Sequence, residues 1–132
     1  MSGITMRRFA QTAAALAAAS FLLGLGSCAA AGKPPAGAVA YVGGDLEGRL
    51  DASPQRVVQA SEAAFEEMDI RLISADATGI DGKVIGRTAL DKKIEITARR
   101  DADTSCKVSI RVDTFGDEAL SRQIFEKIRS KL

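Results

Sequence analysis

Between Lys93 and Asp113 the chain places apolar side chains at every second position, and this pattern constrains the fold most. Ile94, Ile96 and Ala98 alternate with Lys93, Glu95, Thr97 and Arg99; after Asp101-Ala102-Asp103-Thr104, Cys106, Val108, Ile110 and Val112 alternate with Lys107, Ser109, Arg111 and Asp113. A period of two puts one set of side chains on each face of a strand. The aspartate-rich interruption is turn chemistry. The segment therefore predicts two antiparallel strands with one apolar and one polar face, and the apolar face needs a covering layer.

Two amphipathic helices can supply that layer. Ser53-Pro54 is a helix start, with serine at the N-cap and proline at the first helical position. From there to Met68 the stripe is Val57, Val58, Ser61, Ala64, Phe65 and Met68, opposite Glu62, Glu66 and Glu67. Thr114 to Asp117 has capping-box spacing, with threonine expected at the N-cap. Beyond it Leu120, Ile124, Ile128 and Leu132 recur every four residues with Phe125 beside them. Glu118 and Arg122 are spaced for an ion pair one turn apart. Three further strands are expected: Tyr41 to Leu50, Asp69 to Thr78 with imperfect alternation suggesting a bulge, and Lys83 to Leu90. Gly79 to Gly82 and Asp91-Lys92 are turns. In the first strand Val42, Gly44, Leu46, Gly48 and Leu50 are expected on the core face, the glycines leaving room for a helix. The expected class is α+β: an antiparallel sheet of four or five strands, ordered β-α-β-β-β-β-α, with both helices on one face.

Ahead of this domain, Arg7-Arg8 is followed by an uncharged run from Phe9 to Leu25 and then by Gly26, Ser27 and Cys28. Basic, apolar and small-residue segments in that order make a secretory signal. Leu25-Gly26-Ser27-Cys28 resembles the lipobox of bacterial lipoproteins. The resemblance implies cleavage before Cys28, a diacylglycerol on its sulfur and acylation of the new amino terminus. The run is too rich in alanine, with Gln11, Thr12 and Ser20, to make a strong membrane span. Ordinary cleavage after Ala29-Ala30-Ala31 is the other alternative, and it would discard Cys28. The expected organisation is a signal peptide over 1–27, a lipidated cysteine and flexible tether over 28–40, and one α+β domain over 41–132. A tether of that length spans about 19 Å on average and at most about 40 Å. Ala29 rather than aspartate after the cysteine favours the periplasmic face of an outer membrane over retention at the inner, or cell, membrane.

Removing Arg7 and Arg8 from 18 basic residues leaves 16 against 17 acidic, a net of −1. A near-neutral surface poor in aromatics gives no footprint for nucleic acid. There is no histidine, and neither a catalytic triad, a metal-ligand cluster nor a phosphate-cradling glycine loop is recognisable. No catalytic, cofactor-binding or metal-binding residue is therefore expected, and no enzyme activity. Lipidation of Cys28 would leave Cys106 without an intramolecular partner, as a small buried hydrophobe in a strand.

Val108 to Val112 followed by Thr114-Phe115-Gly116-Asp117-Glu118-Ala119-Leu120-Ser121 resembles a small bacterial lipoprotein family of unknown function. The likeness extends over the helix 54–68, the Gly82-Lys83 turn and the lipobox, and Asp113 stands where that family's glycine is expected. The order of elements is also helix-grip-like, similar in architecture to domains of a lipoprotein in the outer-membrane β-barrel assembly machine. Neither likeness implies an activity or cofactor. Phe115, Asp117 and Glu118, at a strand-to-helix junction, are the candidate partner contacts. The expected role is a membrane-anchored interaction or structural module of the cell envelope, with the bilayer and envelope proteins as partners. The alternative is a periplasmic module that holds a lipid, glycan or peptide between helices and sheet.

Overall fold

The computed structural model describes residues 36–132. The elements are β1 (Val39–Val42), β2 (Asp45–Leu50), α1 (Pro54–Glu67), β3 (Arg71–Ala77), β4 (Asp81–Arg87), β5 (Lys93–Ala102), β6 (Ser105–Val112) and α2 (Glu118–Ser130). All six strands form one antiparallel sheet in the order β1-β2-β6-β5-β4-β3. The α+β class and the two helices agree with the pattern in the sequence, but the sheet has six strands rather than four or five.

The additional strand comes from the segment expected as one strand from Tyr41 to Leu50. Gly43 and Gly44 both have positive φ, 61° and 93°. They form the two-residue connection of a hairpin in which Val42 opposes Asp45. Paired positive φ values mark the tight hairpin turn that glycine adopts without a steric penalty. The core face of β2 is accordingly Leu46, Gly48 and Leu50, while Gly44 lies in the turn and Val42 is exposed. The first strand begins at Val39, inside the stretch expected to be tether.

One apolar layer lies between the sheet and both helices. It contains Leu46 and Leu50 from β2, Val84 from β4, Ile94, Ile96 and Ala98 from β5, and alternate residues of β6 from Cys106 to Val112. From the helices come Val57, Val58, Ala64 and Phe65 of α1 and Ile124, Phe125 and Ile128 of α2. Glycine lets the layers close. A Cβ on Gly48 would lie 2.5 Å from Phe125 Cε2, and one on Gly86 would lie 2.5 Å from Phe65 Cε2. Each helix therefore seats one phenylalanine ring on a bare stretch of strand.

The helix starts divide between agreement and correction. Ser53 caps α1, its hydroxyl accepting from the Arg56 amide at 3.3 Å, with Pro54 as the first helical residue. The cap of α2 is Asp117, whose carboxylate accepts from the Leu120 amide at 3.0 Å; Thr114 lies three residues before that cap. The bulge expected in β3 lies between Leu72 and Ser74. Leu90 lies beyond the end of β4 in the connection to β5 and is 83 % exposed.

Candidate functional site

The antiparallel order sends alternate connections to opposite ends of the sheet. The near end has the start of β1, the β2–α1 loop and the β3–β4 and β5–β6 turns. The far end has the β1–β2 hairpin, the α1–β3 turn, the β4–β5 connection and the β6–α2 loop. Among the large exposed hydrophobics, Phe115, Leu90, Leu72, Ile73 and Val42 belong to far-end segments, and Ile80 alone to the near end. Following the strand order, Val42 is succeeded by Phe115, Leu90 and then the Leu72-Ile73 pair. These side chains share an end of the sheet but not a face, since Val42 opposes Asp45 on the outer face and Leu72 opposes the core-facing Gly86.

The β6–α2 loop that carries Phe115 is braced by its neighbours. At 91 % exposure Phe115 is the most open of these hydrophobics. Next to it Gly116 has φ +82°, and a Cβ there would collide with the Tyr41 hydroxyl and the Gly44 backbone. The β6–α2 loop therefore packs directly on the β1–β2 hairpin. An Arg111 guanidinium nitrogen also reaches the hairpin, donating to the Gly43 carbonyl at 3.2 Å. On the other side the Asp113 amide donates to the Lys93 carbonyl at 2.7 Å, and Lys92 Nζ lies 3.6 Å from Asp117 Oδ2. Asp113 itself has φ +61° and accepts from the Thr114 amide at 2.9 Å. The left-handed geometry that glycine adopts freely is thus held here by an aspartate, one of the few other residues that tolerate it.

The three candidate contacts therefore have different roles. Asp117 is committed to the α2 cap and to Lys92. Glu118 is held by two nitrogens of Arg122, at 2.8 and 3.0 Å. Phe115 is the one of the three that is almost wholly exposed, and the two carboxylates are partly exposed in ion pairs. Sequence reasoning missed the exposed Leu90, Ile73 and Leu72, whose placement at this end depends on strand order.

The outer face of the sheet is polar and cross-linked. Arg111 grips Asp45 through Nε at 2.6 Å and NH2 at 2.8 Å, which holds the Asp45 carboxyl below its usual range. Lys83 and then Lys93, at 3.0 and 3.1 Å, lower the Glu95 carboxyl similarly. Lys107 pairs with Glu47, and Arg49 with Asp101. Among the described residues no three His, Cys, Asp or Glu side chains come together as a metal site would require. Cys106 is free and buried, its thiol donating to the Ala52 carbonyl at 2.8 Å, and burial pushes its pKa up, away from the reactive thiolate. The lipobox residues Leu25, Gly26, Ser27 and Cys28 lie outside the described residues. No helix among those described is long and apolar enough to cross a membrane.

The architecture is that of a two-layer α+β domain, with a six-stranded antiparallel sheet under two helices. The chain belongs to the family described as "Protein of unknown function (DUF3568)", whose model matches residues 11–131. No curated protein matches it.

Proposed function

We propose that the chain is a lipid-anchored, non-catalytic interaction module of the bacterial cell envelope, whose far end binds another envelope protein through the loops that carry Phe115 and Leu90. Acylation of Cys28, directed by Leu25-Gly26-Ser27, supplies the anchor. The observation that carries the reading is Phe115, an aromatic side chain 91 % exposed on a loop braced from both sides. Exposed aromatics on a rigid loop are typical binding anchors, because little conformational freedom is lost when they dock. The region between helices and sheet is occupied by Phe65 and Phe125, which favours a surface partner over an enclosed ligand.

The test is photocrosslinking in intact cells from a reactive side chain placed at Phe115, at Leu90 or at the exposed helix position Glu126. A discrete adduct from Phe115 and Leu90, absent from Glu126, is expected. Phe115→Asp should abolish the adduct from Leu90 while leaving membrane fractionation unchanged. Equal or absent labelling at all three positions would defeat the proposal.

A further inference from the structure

The sheet has two edges, and they differ in how they are protected. The β3 edge carries a register shift between Leu72 and Ser74 and is charged at Arg71 and Asp76. Bulges and charges are the usual protection against pairing with another chain. The β1 edge, Val39-Ala40-Tyr41-Val42, has no charge, proline or register shift. Its outer side has no strand partner among the described residues.

Two further observations at this edge fit each other. On the outer face beside β1 is a depression of about 420 Å³ that includes Ala38, Ala40 and Gly48. Its charged residues, Glu47, Arg49, Asp101 and Lys107, are two of each sign, so it suits an uncharged occupant. Val42, on the same strand, projects an apolar side chain that is 64 % exposed.

We infer that β1 pairs antiparallel with β1 of a second copy, making one continuous sheet across a twofold axis. That axis is perpendicular to the sheet and keeps each side chain on its own face, so opposed residue numbers must have an even sum. A centre at Ala40 opposes Ala40 with Ala40, Val39 with Tyr41, and Ala38 with Val42. Val42 of each copy then lies beside Ala38 of the other, at the margin of the depression, and the exposed valine is covered. On the helix side Tyr41 meets Val39, an aromatic and β-branched pairing of the kind that stabilises sheets.

The pairing does not depend on lipidation, but the anchor in the proposed function would give it a defined posture. The two Ala36 residues would lie roughly 27 Å apart at opposite ends of the paired strands. From Cys28 to Ala36 the chain reaches at most about 28 Å. Both anchors can therefore enter one bilayer when the joined sheet lies along it. The two Phe115 loops would then point in opposite directions in the plane of the membrane.

The test uses the full chain carrying Cys28→Ser, so that its outcome is separate from that of the anchor. Ala40→Cys in this background, mildly oxidised, should form a disulfide-linked dimer, since residues directly opposed across a sheet are within bridging distance. Val42→Cys alone should not link, whereas Ala38→Cys combined with Val42→Cys should. By light scattering the unoxidised chain should have twice the 13.8 kDa chain mass, reduced to a single mass by Ala40→Lys with an unchanged circular dichroism spectrum. A monomer at about 100 µM, well above typical dissociation constants for stable dimers, would overturn the inference. Equal linking through Ala40→Cys and Val42→Cys would overturn the register.

Discussion

Adding one methyl group at Gly86 tests how the helices are seated. An ideal Cβ at this position lies 2.5 Å from Phe65 Cε2 and 2.9 Å from Ile70 Cγ2. Ordinary carbon contacts are about 3.5–4.0 Å, so either the ring or the strand must shift. Phe65 is only 1 % exposed, and Ile70 is buried beside it, so the ring has nowhere open to move. Overpacking of this kind costs about 1–3 kcal/mol, and in a domain of this size each kcal/mol lowers Tm by about 4–8 °C. Gly86→Ala should therefore destabilise the full chain by that amount in urea unfolding followed by circular dichroism, with an unchanged slope. Phe65→Leu alone should also destabilise, by about 1–2 kcal/mol through lost packing. The double variant should be more stable than the two losses predict by about 1 kcal/mol or more, because shortening the ring makes room for the methyl group. Strict additivity, or a Gly86→Ala loss below about 0.5 kcal/mol, would refute the ring-on-glycine contact.

Three further variants test the far end and the outer face. Asp113→Gly should be stability-neutral to within about 0.5 kcal/mol, whereas Asp113→Val should cost about 1–3 kcal/mol by forcing a β-branched residue to positive φ, measured by thermal unfolding. Asp117→Ala should lose about 1 kcal/mol of α2 capping and Thr114→Ala very little; the reverse order would return the N-cap to Thr114. The Asp45 carboxyl is held low in the folded state by Arg111, so its stabilising contribution is complete above its unfolded pKa and is lost as pH falls through the folded one. Arg111→Gln should consequently flatten the acid-side decline in stability between pH 5 and pH 2 on urea titration, and an unchanged profile would count against that pairing.

The parts of the fold that depend on local chemistry were legible in the sequence. Ser53-Pro54 marked the start of α1 because a hydroxyl cap and a residue with no amide hydrogen leave little alternative. Alternation in β5 and β6 identified their core faces residue by residue. The β1–β2 hairpin was hidden because Val42, Gly44 and Leu46 keep a period of two across the turn. The Gly43-Gly44 doublet was the signal that could have revealed it. At α2 the capping-box spacing pointed to Thr114, but the cap is Asp117, and Gly116 before it has positive φ and packs on Gly44 and Tyr41, contacts that no local pattern specifies. Phe115 was accessible to sequence reasoning as a junction residue. Leu90 joins it only through the order of strands, which no local pattern specifies.

The most direct measurement for the central proposal is the intact mass and amino-terminal residue of the protein recovered from cell membranes. The account predicts a chain that begins at Cys28 and carries the added mass of a diacylglyceryl group and, usually, a further acyl chain. Cys28→Ser should lack that mass and leave the membrane-anchored pool of mature protein. An unmodified Cys28 in the membrane-bound protein, or a mature chain that begins after Ala31, would contradict it.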